Sequence, residues 1–328
     1  MMFKDKIILI TGGTGSWGNE LTAQLLLKNP KQIIIFSRSE LHQVNMERKF
    51  KNGKIKFIIG DVRDRDRLIE ATKEVDYIFH LAALKHVPVC EEQPYEAIKT
   101  NIVGTKNIIE AAKINNVKRV IDISSDKAVD PLNLYGMTKA IGERLIIQAN
   151  LEPSNTTFVC IRGGNVLGTN GSVVPFFIDQ IKNNGSITLT DKRMTRYFLT
   201  LQQAIGLLFK ASEMSHGGET FVMKMPACKI IDLARVLAEE VSKKSVPIKE
   251  TGTRPGEKID EVLISRYESP RTYKFDENYY VILPELKLDN LEDKYKKFPK
   301  VKFSEYSSKD KLMNKTQVKE LLAKGGFI

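Results

Sequence analysis

Two short segments near the middle of the chain carry side chains that could move protons. The first is Ser124-Ser125-Asp126-Lys127, and the second places Tyr135 four residues before Lys139. On a helix these two residues share one face. A neighbouring ammonium favours the phenolate and brings the pKa of a phenol towards neutral pH, so Tyr135 is a candidate general base for a substrate hydroxyl. The same spacing also occurs on ordinary helices, so by itself it leaves a non-catalytic interpretation open.

The elements around these segments place the first of them at the edge of a sheet. Residues 117–123 are rich in β-branched side chains and predict a strand, and a helical stretch follows Pro131. Ser124 to Lys127 would then follow the carboxyl end of a strand. Open α/β sheets bind their ligands at that edge.

A glycine-rich segment follows the first apolar run of the chain. Residues 7–10 are continuously apolar, as in a central parallel strand, and residues 11–18 (TGGTGSWG) precede a helical pattern through Leu21 and Leu25. Glycines in this order allow a tight turn and a close approach of backbone to a pyrophosphate at a helix N-terminus. The segment predicts dinucleotide binding, with a merely structural loop as the alternative. The candidate ligands here are Gly12, Thr14, Gly15, Ser16, Trp17 and Gly18.

The end of the second predicted strand bears on which dinucleotide is bound. Residues 32–36 are followed by Ser37-Arg38-Ser39 and not by the Asp or Glu that would bind the ribose 2′-hydroxyl of NAD. A guanidinium with small hydroxyls beside it suits a 2′-phosphate. Ser37 and Arg38 therefore favour NADP over NAD. If Arg38 only stacks on the adenine, the preference is open.

The next two predicted strands also end in candidate ligands. Asp61 and Val62 end the third strand, near the expected position of an adenine amino group. Ala82 and Ala83 end the fourth, and their small side chains leave room for a cofactor. Lys85 follows and could face a diphosphate or a sugar, although a purely local role for this segment is an alternative.

Composition and charge exclude some classes of function. The chain has 328 residues, enough for one large or two modest domains. Its net charge of +11 comes from 51 Lys and Arg against 40 Asp and Glu, but the basic residues are dispersed and form no basic aromatic patch. Surface lysines or anionic small ligands explain the excess, and we expect no nucleic-acid partner.

The cysteines and the N-terminus predict a cytoplasmic protein. Cys90, Cys160 and Cys228 are far apart, so we expect neither a disulfide framework nor a metal site. The apolar run of residues 7–10 is too short for a membrane span or a signal peptide. We expect no membrane partner.

Strands and helices alternate through residue 123, which predicts an α/β fold with a doubly wound parallel Rossmann sheet and a smaller mixed α/β substrate lobe. Residues 1–165, with return segments in 186–225, are predicted to form the NADP-binding domain. Residues 166–185 and 226–328 are predicted to form the substrate lobe. Residues 219–224 are expected to be a strand that rejoins the main sheet, and residues 230–242 an amphipathic helix.

The glycine-rich segment together with Tyr-x-x-x-Lys resembles the extended short-chain dehydrogenase/reductase family. Further motifs narrow the resemblance to UDP-N-acetylglucosamine 4,6-dehydratases, and most closely to the soluble inverting ones that open pseudaminic-acid type pathways. The resemblance covers about residues 3–285. Its motifs are Ser125-Asp126-Lys127-Ala128, Pro131 to Gly136, Gly164-Asn165-Val166, Gly171 to Pro175, Met194-Thr195-Arg196 and Arg254 to Lys258.

The resemblance implies a role for each catalytic candidate. Tyr135 would take the proton of the sugar C4 hydroxyl while NADP accepts the hydride, and Ser125 would hydrogen-bond the C4 oxygen. Lys139 would hold the cofactor ribose and lower the pKa of Tyr135. Lys127 would remove the C5 proton, and a protonated Asp126 would assist loss of the C6 hydroxyl. A simple reductase would not need the Asp126–Lys127 pair, and an exposed turn with a local salt bridge is its structural alternative.

The resemblance also implies the partners and the substrate contacts. The expected partners are a UDP-sugar and further copies of the same chain, since the inverting relatives are often hexamers. Gly163 stands where the relatives have an aromatic residue, which predicts a looser pocket wall, and residues 168–175 could present backbone groups to uracil. The rival functions are a nucleotide-sugar C5 epimerase, a 4-keto-sugar reductase, or a non-catalytic NADP-binding protein. The predicted substrate contacts are Lys85, Asn165, Ser172, Val173, Arg196, Arg254 and Glu257.

Overall fold

The architecture is that of a computed structural model, which describes residues 2–169, 171–242 and 246–328. Helices and strands alternate through the first half of the chain. The strands are β1 (Ile7–Thr11), β2 (Gln32–Ser37), β3 (Ile55–Ile59), β4 (Tyr77–His80), β5 (Arg119–Ser125), β6 (Thr157–Gly163), β7 (Asn165–Val166), β8 (Ile187–Leu189), β9 (Thr195–Leu199), β10 (Thr220–Met223), β11 (Ala227–Lys229), β12 (Ile248–Glu250), β13 (Val262–Ile264), β14 (Thr272–Lys274), β15 (Tyr279–Ile282) and β16 (Tyr306–Ser307). The helices are α1 (Ser16–Leu26), α2 (Glu40–Phe50), α3 (Arg65–Ala71), α4 (Val87–Glu92), α5 (Pro94–Ile98), α6 (Gly104–Ile114), α7 (Leu134–Gln148), α8 (Val173–Asn184), α9 (Leu201–Met214), α10 (Ile230–Ser242), α11 (Leu291–Tyr295) and α12 (Lys315–Lys324).

The main sheet has nine strands in the order β14-β15-β10-β6-β5-β4-β1-β2-β3. Within this sheet, the seven neighbouring strands β10, β6, β5, β4, β1, β2 and β3 are parallel. β15 pairs antiparallel with β10 and with β14. The chain runs outward in one direction through β1, β2 and β3 and in the other through β4, β5 and β6. A crevice forms at the carboxyl ends of β1 and β4, where the direction reverses. The predicted doubly wound α/β sheet is confirmed.

The central strands are buried on both faces, as their apolar sequences require. All five residues of β1 are buried, and Leu9 packs with Ile34, Ile78 and Val120 in one core under the flanking helices. Helices on both faces hold the carboxyl ends of these strands at one common edge. The side chains that follow β1 to β6 therefore lie around a single crevice.

A second core lies beside the main sheet. It is built from α8, α10 and α12, with Phe177, Leu237 and Leu322 among its buried side chains. Three small sheets, ordered β11-β9-β7, β12-β8 and β13-β16, lie outside the main sheet. The region corresponds to much of the predicted substrate lobe.

The predicted boundaries between the two regions remain a proposal. β10 joins the main sheet beside β6, as expected for residues 219–224. However, β14 and β15, which lie in the segment predicted for the substrate lobe, also belong to the main sheet. Conversely, β8 and β9 lie outside it, although residues 186–225 were expected to return to it.

A buried ion cluster ties α7 to the second half of the chain. Arg162, only 3 % exposed at the end of β6, donates to both oxygens of Glu143 on α7, at 3.0 and 2.6 Å. It also donates to both oxygens of Glu268, at 3.0 and 3.1 Å, and to the Leu263 carbonyl at 2.9 Å. Although burial raises it, the contacts with Arg162 lower the pKa of Glu268 to about 2.

We predict that Arg162→Met lowers the free energy of unfolding by about 3–5 kcal/mol, because two buried carboxylates lose their partner. Urea denaturation at pH 7 measures the loss. Arg235→Met is the matched control, since Arg235 pairs with Asp232 on the surface and its side chain is 62 % exposed. Equal shifts in the two variants would contradict a special role for the buried cluster.

Candidate active site

A cavity of about 780 Å³ opens at the carboxyl ends of the parallel strands. Most of the side chains and glycines predicted to bind a ligand or to react lie on its wall. The predicted residues on the wall are Gly12, Thr14, Gly15, Ser16, Trp17, Ser37, Arg38, Asp61, Val62, Ala82, Ala83, Lys85, Ser125, Asp126, Lys127, Tyr135, Lys139, Asn165, Ser172 and Val173.

Four predicted residues are not on this wall: Gly18, Arg196, Arg254 and Glu257. A Cβ atom on Gly18 would lie 2.1 Å from the carbonyl oxygen of Gly13. Gly18 therefore allows α1 to pack against the glycine-rich turn, which is a backbone role and not a direct contact with a cofactor.

The glycine-rich turn is shaped to receive a ligand. Gly12 has a φ of +64°, and a Cβ atom there would lie 2.9 Å from the Cα atom of Ala82. Gly15 is the N-cap of α1 and offers no side chain to cap the first turn. A helix terminus without a capping side chain suits an anionic group, which is what a dinucleotide pyrophosphate would need.

At the other end of the cavity, β2 leads into the N-terminus of α2. Ser39 caps α2 by accepting a hydrogen bond from the His42 amide at 3.3 Å, and Arg38 before it is exposed. The Asp61 carboxylate accepts from the amide and the guanidinium of Arg63. Burial raises the pKa of Asp61, but these contacts with Arg63 outweigh it, and the net shift of the pKa is downward.

The proton-transfer candidates meet where β5 ends. Ser125 donates to Asp126 Oδ1 at 2.8 Å, and Lys127 Nζ donates to the same oxygen at 3.1 Å. Asp126 is 1 % exposed, and its Oδ2 has no hydrogen-bond partner among the described residues. The Asp126–Lys127 pair is therefore not an exposed turn.

Helix α7 brings Tyr135 to this cluster through a close backbone contact. Asn133 caps α7 by accepting from the Gly136 amide at 2.9 Å. A Cβ atom on Gly136 would lie 2.2 Å from the Lys127 carbonyl oxygen. Only glycine permits this approach of the α7 backbone to the Lys127 carbonyl. The contact fixes the distance between Tyr135 and the end of β5.

The electrostatics of Tyr135 differ from the expectation. Burial raises the pKa of Tyr135, while Lys139, Lys127 and a hydrogen bond with Ser125 act in the opposite direction, and the net shift is upward. The two ammonium groups therefore offset only part of the cost of forming a phenolate in this pocket.

Two carboxylates that sequence reasoning missed hold the two lysines of the site. Asp122, fully buried in β5, lies 3.4 Å from Lys139 Nζ, and Glu261 lies 3.3 Å from Lys127 Nζ. Burial lowers the pKa of each lysine, but the carboxylates outweigh it and raise both. A charged residue within the apolar strand was an available signal for Asp122. Glu261 gave none, because it lies 134 positions after Lys127 in the chain.

Arg196 does not face the cavity as the predicted diphosphate ligand would. It is 9 % exposed, and its guanidinium donates to the carbonyl oxygens of Thr195, Ile259 and Lys258 at 2.7 to 2.9 Å. Its Nε lies 3.5 Å from Glu261. The diphosphate role of Arg196 stays a prediction, while these contacts hold its guanidinium against the backbone.

Arg254 and Glu257 lie in a surface turn before β13. The Arg254 amide donates to the Glu257 carboxylate at 3.2 Å. The turn rests on the N-terminus of α7, where Asn133 donates to the Gly256 carbonyl at 3.0 Å. A role for either charged side chain in substrate binding stays a prediction.

The wall around β6 and β7 contains two consecutive glycines. A Cβ atom on Gly163 would lie 3.3 Å from the Met223 sulfur, so the methionine occupies part of the space that the missing side chain leaves. A Cβ atom on Gly164 would lie 2.7 Å from Tyr197 Cβ. Asn170, within the predicted uracil loop 168–175, lies outside the described residues.

Residues 2–169, 171–242 and 246–328 contain neither a metal-ion cluster nor a membrane-spanning helix. No cluster of three or more His, Cys, Asp or Glu side chains in these ranges could hold a metal ion. No helix in them combines the length and the apolar character needed to cross a bilayer.

Comparisons with known proteins identify the relatives of this chain. One relative is "UDP-N-acetylglucosamine 4,6-dehydratase (inverting)" of Campylobacter jejuni, 46% identical over 90% of this chain and 87% of the relative. A "UDP-glucose 4-epimerase" of Rickettsia bellii is 44% identical, covering 98% and 96%. An uncharacterised membrane protein of Methanocaldococcus jannaschii is 42% identical, covering 99% and 98%.

A solved structure and a family match agree with these sequence relatives. The X-ray structure of Pen from Bacillus thuringiensis superposes with a TM-score of 0.94 over 100% of both chains, at 41% identity. The family described as "Polysaccharide biosynthesis protein" matches residues 8–283. The chain belongs to this polysaccharide biosynthesis family, within the extended short-chain dehydrogenase/reductase fold.

Proposed function

We propose that this chain is an inverting UDP-N-acetylglucosamine 4,6-dehydratase that works with bound NADP. The observation that carries the proposal is the Asp126–Lys127 pair at the end of β5, in which Asp126 is buried and joined to Ser125 beside Tyr135. With the dinucleotide as hydride acceptor, oxidation at C4 needs from the protein only a base for the hydroxyl, whereas loss of water across C5 and C6 needs a further base and an acid. The pair supplies that second set of groups.

The cavity fits a nicotinamide dinucleotide. The uncapped turn at Gly15 and the close approach at Gly12 suit a pyrophosphate, and Ala82 and Ala83 leave space on the wall. When bound, the cofactor would supply reversible acceptance of a hydride. Lys139 would hold its ribose, and Tyr135 would lie beside the nicotinamide.

The chain's own residues then divide the proton transfers. Tyr135 takes the proton of the C4 hydroxyl, and Ser125 orients the C4 oxygen. Oxidation of C4 acidifies the C5 proton, which Lys127 removes. Asp126 gives a proton to the C6 hydroxyl as it leaves as water.

These last roles need the Asp126–Lys127 pair in its neutral form, with the proton on Asp126. Only 3.1 Å separates Asp126 Oδ1 from Lys127 Nζ, so a single proton shift converts the ion pair into a carboxylic acid and a free amine. In the pocket without substrate, the raised pKa of Lys127 favours the ion pair. Bound sugar expels water, and a drier site penalises separated charges, which shifts the pair towards the neutral form.

The 2′-phosphate of NADP would lie at the start of α2. Arg38 and Ser37 line this part of the cavity, and no acidic residue stands between β2 and α2 to bind a free ribose hydroxyl. A guanidinium and a helix N-terminus both favour a phosphate. Their combination supports NADP over NAD.

The UDP-sugar would occupy the opposite wall. Ser172 is the N-cap of α8 and makes no side-chain capping bond, and its buried Oγ has no hydrogen-bond partner within the described ranges. The amides at this terminus and the Ser172 hydroxyl suit a diphosphate. Lys85, Asn165 and Val173 line the same wall and are proposed as further contacts.

The setting of the enzyme is also part of the proposal. The three cysteines are free and buried, which supports a reducing compartment such as the cytoplasm. The 4-keto-6-deoxy product would feed deoxy-amino-sugar synthesis of the pseudaminic-acid type, which supplies flagellin glycosylation. We infer a homo-oligomer, with a hexamer as its proposed form, from the resemblance alone.

A 4-epimerase is the second candidate, because the Rickettsia relative carries that name at 44% identity. Epimerisation at C4 would need Tyr135 and the cofactor but no acid and base at C5 and C6. A C5 epimerase or a 4-keto-sugar reductase would also use Tyr135 and Lys139. Loss of water from the substrate separates the dehydratase from all of these.

The decisive experiment is to incubate purified protein with UDP-N-acetylglucosamine in heavy water and no added cofactor. Mass spectrometry and NMR should find a product that has lost one water and gained deuterium at C5, with ring couplings for the inverted configuration. A C4 epimer of unchanged composition would establish the epimerase instead. Unchanged substrate would call for a trial with a 4-keto-6-deoxy sugar nucleotide.

We predict that Tyr135→Phe lowers kcat by at least about 100-fold while the cofactor stays bound, because only the phenolic proton acceptor is lost. Product formation and the absorbance of the bound dinucleotide measure the two effects. Tyr267→Phe is the control, since Tyr267 is 83 % exposed and lies outside the cavity wall. Full activity in Tyr135→Phe would remove Tyr135 from the mechanism.

We predict that Arg38→Ala weakens NADP binding about 10- to 100-fold and leaves NAD binding nearly unchanged, because a charged hydrogen bond to the 2′-phosphate is lost. Calorimetric titration of protein freed of cofactor measures both affinities. Arg48→Ala, in the last turn of α2, is the control. An equal loss for both dinucleotides would show that Arg38 does not read the phosphate.

A further inference from the structure

A buried carboxylate outside the predicted catalytic set touches the amine of Lys127. Glu261 is 3 % exposed, and its Oε1 lies 3.3 Å from Lys127 Nζ. We propose that Glu261 is a positioning residue that holds the Lys127 amine at C5 and stabilises the ammonium formed there. The inference rests on the proposed dehydratase function.

Four side chains form a row of alternating charge in this part of the structure. Asp126 Oδ1 lies 3.1 Å from Lys127 Nζ, and Glu261 Oε1 lies between Lys127 and Arg196, at 3.3 and 3.5 Å. Lys127 is thus held from two sides. Without Glu261, its flexible four-carbon side chain would be oriented by Asp126 alone.

The surroundings fix Glu261 more firmly than they fix Lys127. Its amide donates to Ser308 Oγ at 2.9 Å, and its carbonyl accepts from the Ser308 amide at 2.8 Å. Arg196, whose other nitrogens are bound to carbonyl oxygens, cannot move away from it. The Glu261 carboxylate is therefore a preorganised anion in a dry site, where such a charge has its largest effect.

The second oxygen of this carboxylate is an unexplained feature of the fold. Glu261 Oε2 is buried and finds no hydrogen-bond partner in the described part of the chain. Leaving a buried carboxylate oxygen unpaired costs free energy, and an apolar side chain would avoid that cost. A charge retained at this position points to a task beyond packing.

The chemistry supplies such a task. When the C5–H bond breaks, the proton goes to Lys127 Nζ and the electron pair forms the C5–C6 double bond. The C6–O bond breaks at the same time, and the leaving hydroxyl takes the proton of Asp126 and departs as water. Lys127 ends this step as an ammonium and Asp126 as a carboxylate. The fixed charge of Glu261 stabilises the ammonium as it forms.

Charged and titratable groups from several elements face Lys127, and each contributes to its titration. Asp126 adjoins it at the end of β5, Tyr135 faces it from α7, and Arg196 from β9. Lys258 lies in the loop before β13 with Glu261 itself. Asp126 and Glu261 favour the ammonium, and the two cations oppose it. Removing the Glu261 charge should therefore make Lys127 lose its proton at lower pH.

The test is the substitution Glu261→Gln, which keeps the shape and removes the charge. Competitive acetylation of Lys127 with acetic anhydride, followed across pH by mass spectrometry, measures its titration without reference to turnover. We expect the midpoint to fall by at least about one pH unit. We expect kcat to fall about 10- to 100-fold, with the acid limb of the kcat/KM profile at lower pH and KM changed less than about threefold.

Two further variants frame the result. Glu250→Gln is the control, because Glu250 makes a surface pair with Lys192 and lies outside the site. It should change neither measurement. Glu261→Asp keeps the charge, and it should return the Lys127 titration towards the wild-type value.

An unchanged Lys127 titration and an unchanged pH profile in Glu261→Gln would overturn the inference. If the variant does not fold, Asp126→Asn decides the question, because it removes the other carboxylate in contact with Lys127 and leaves Glu261 in place. In Asp126→Asn, Lys127 must be acetylated at higher pH than Lys258, whose pKa burial lowers, and the reverse order would overturn the inference. If wild-type protein shows no dehydration, the function fails, while the acetylation profile still reports whether Glu261 holds Lys127.

Discussion

The structure depends on a lysine ammonium held between two buried carboxylates. Lys127 Nζ contacts Asp126 and Glu261, and Glu261 in turn contacts Arg196. The four residues come from the end of β5, from β9 and from the loop before β13. Removing one member would leave a buried charge unpaired, which is far more costly than losing a surface pair. The same contacts thus hold the second half of the chain against the main sheet and set the chemistry of the cavity.

Two glycines make this arrangement possible by removing side chains where backbones meet. A Cβ atom on Gly136 would overlap the Lys127 carbonyl, and one on Gly164 would lie 2.7 Å from Tyr197 Cβ and 3.5 Å from Asp126 Oδ2. Glycine here lowers local stability in return for close approach. The consequence is that Tyr135, Asp126 and the strand carrying Asn165 share one cavity. Larger residues at either position would separate groups that must act on adjacent carbon atoms of one sugar.

The sequence predicted the parts of the molecule that depend on local pattern. The apolar run before Gly12 and the spacing of Tyr135 and Lys139 are short-range signals, and the main sheet and the cavity wall agree with them. The roles of Glu261 and Asp122 could not be predicted, because they come from contacts that are made only after folding. The backbone contacts of Arg196 could not be predicted for the same reason, since a sequence does not show whether a guanidinium faces a ligand or three backbone carbonyls. The boundaries between the two regions were also hard to infer, because β14 and β15 return to the sheet from late in the chain.

The two lysines of the site are held in different ways, and the difference matches their proposed work. Lys139 is 5 % exposed and faces one carboxylate, Asp122, whose charge is enclosed in the sheet. A lysine that orients a ribose and favours the phenolate of Tyr135 has to remain charged throughout the reaction. Lys127 has 25 % of its side chain exposed, and its ammonium contacts Asp126 Oδ1. Substrate binding can therefore change its surroundings. A lysine that removes a proton from carbon has to pass between two protonation states, and an adjacent acid at 3.1 Å provides the partner for that exchange.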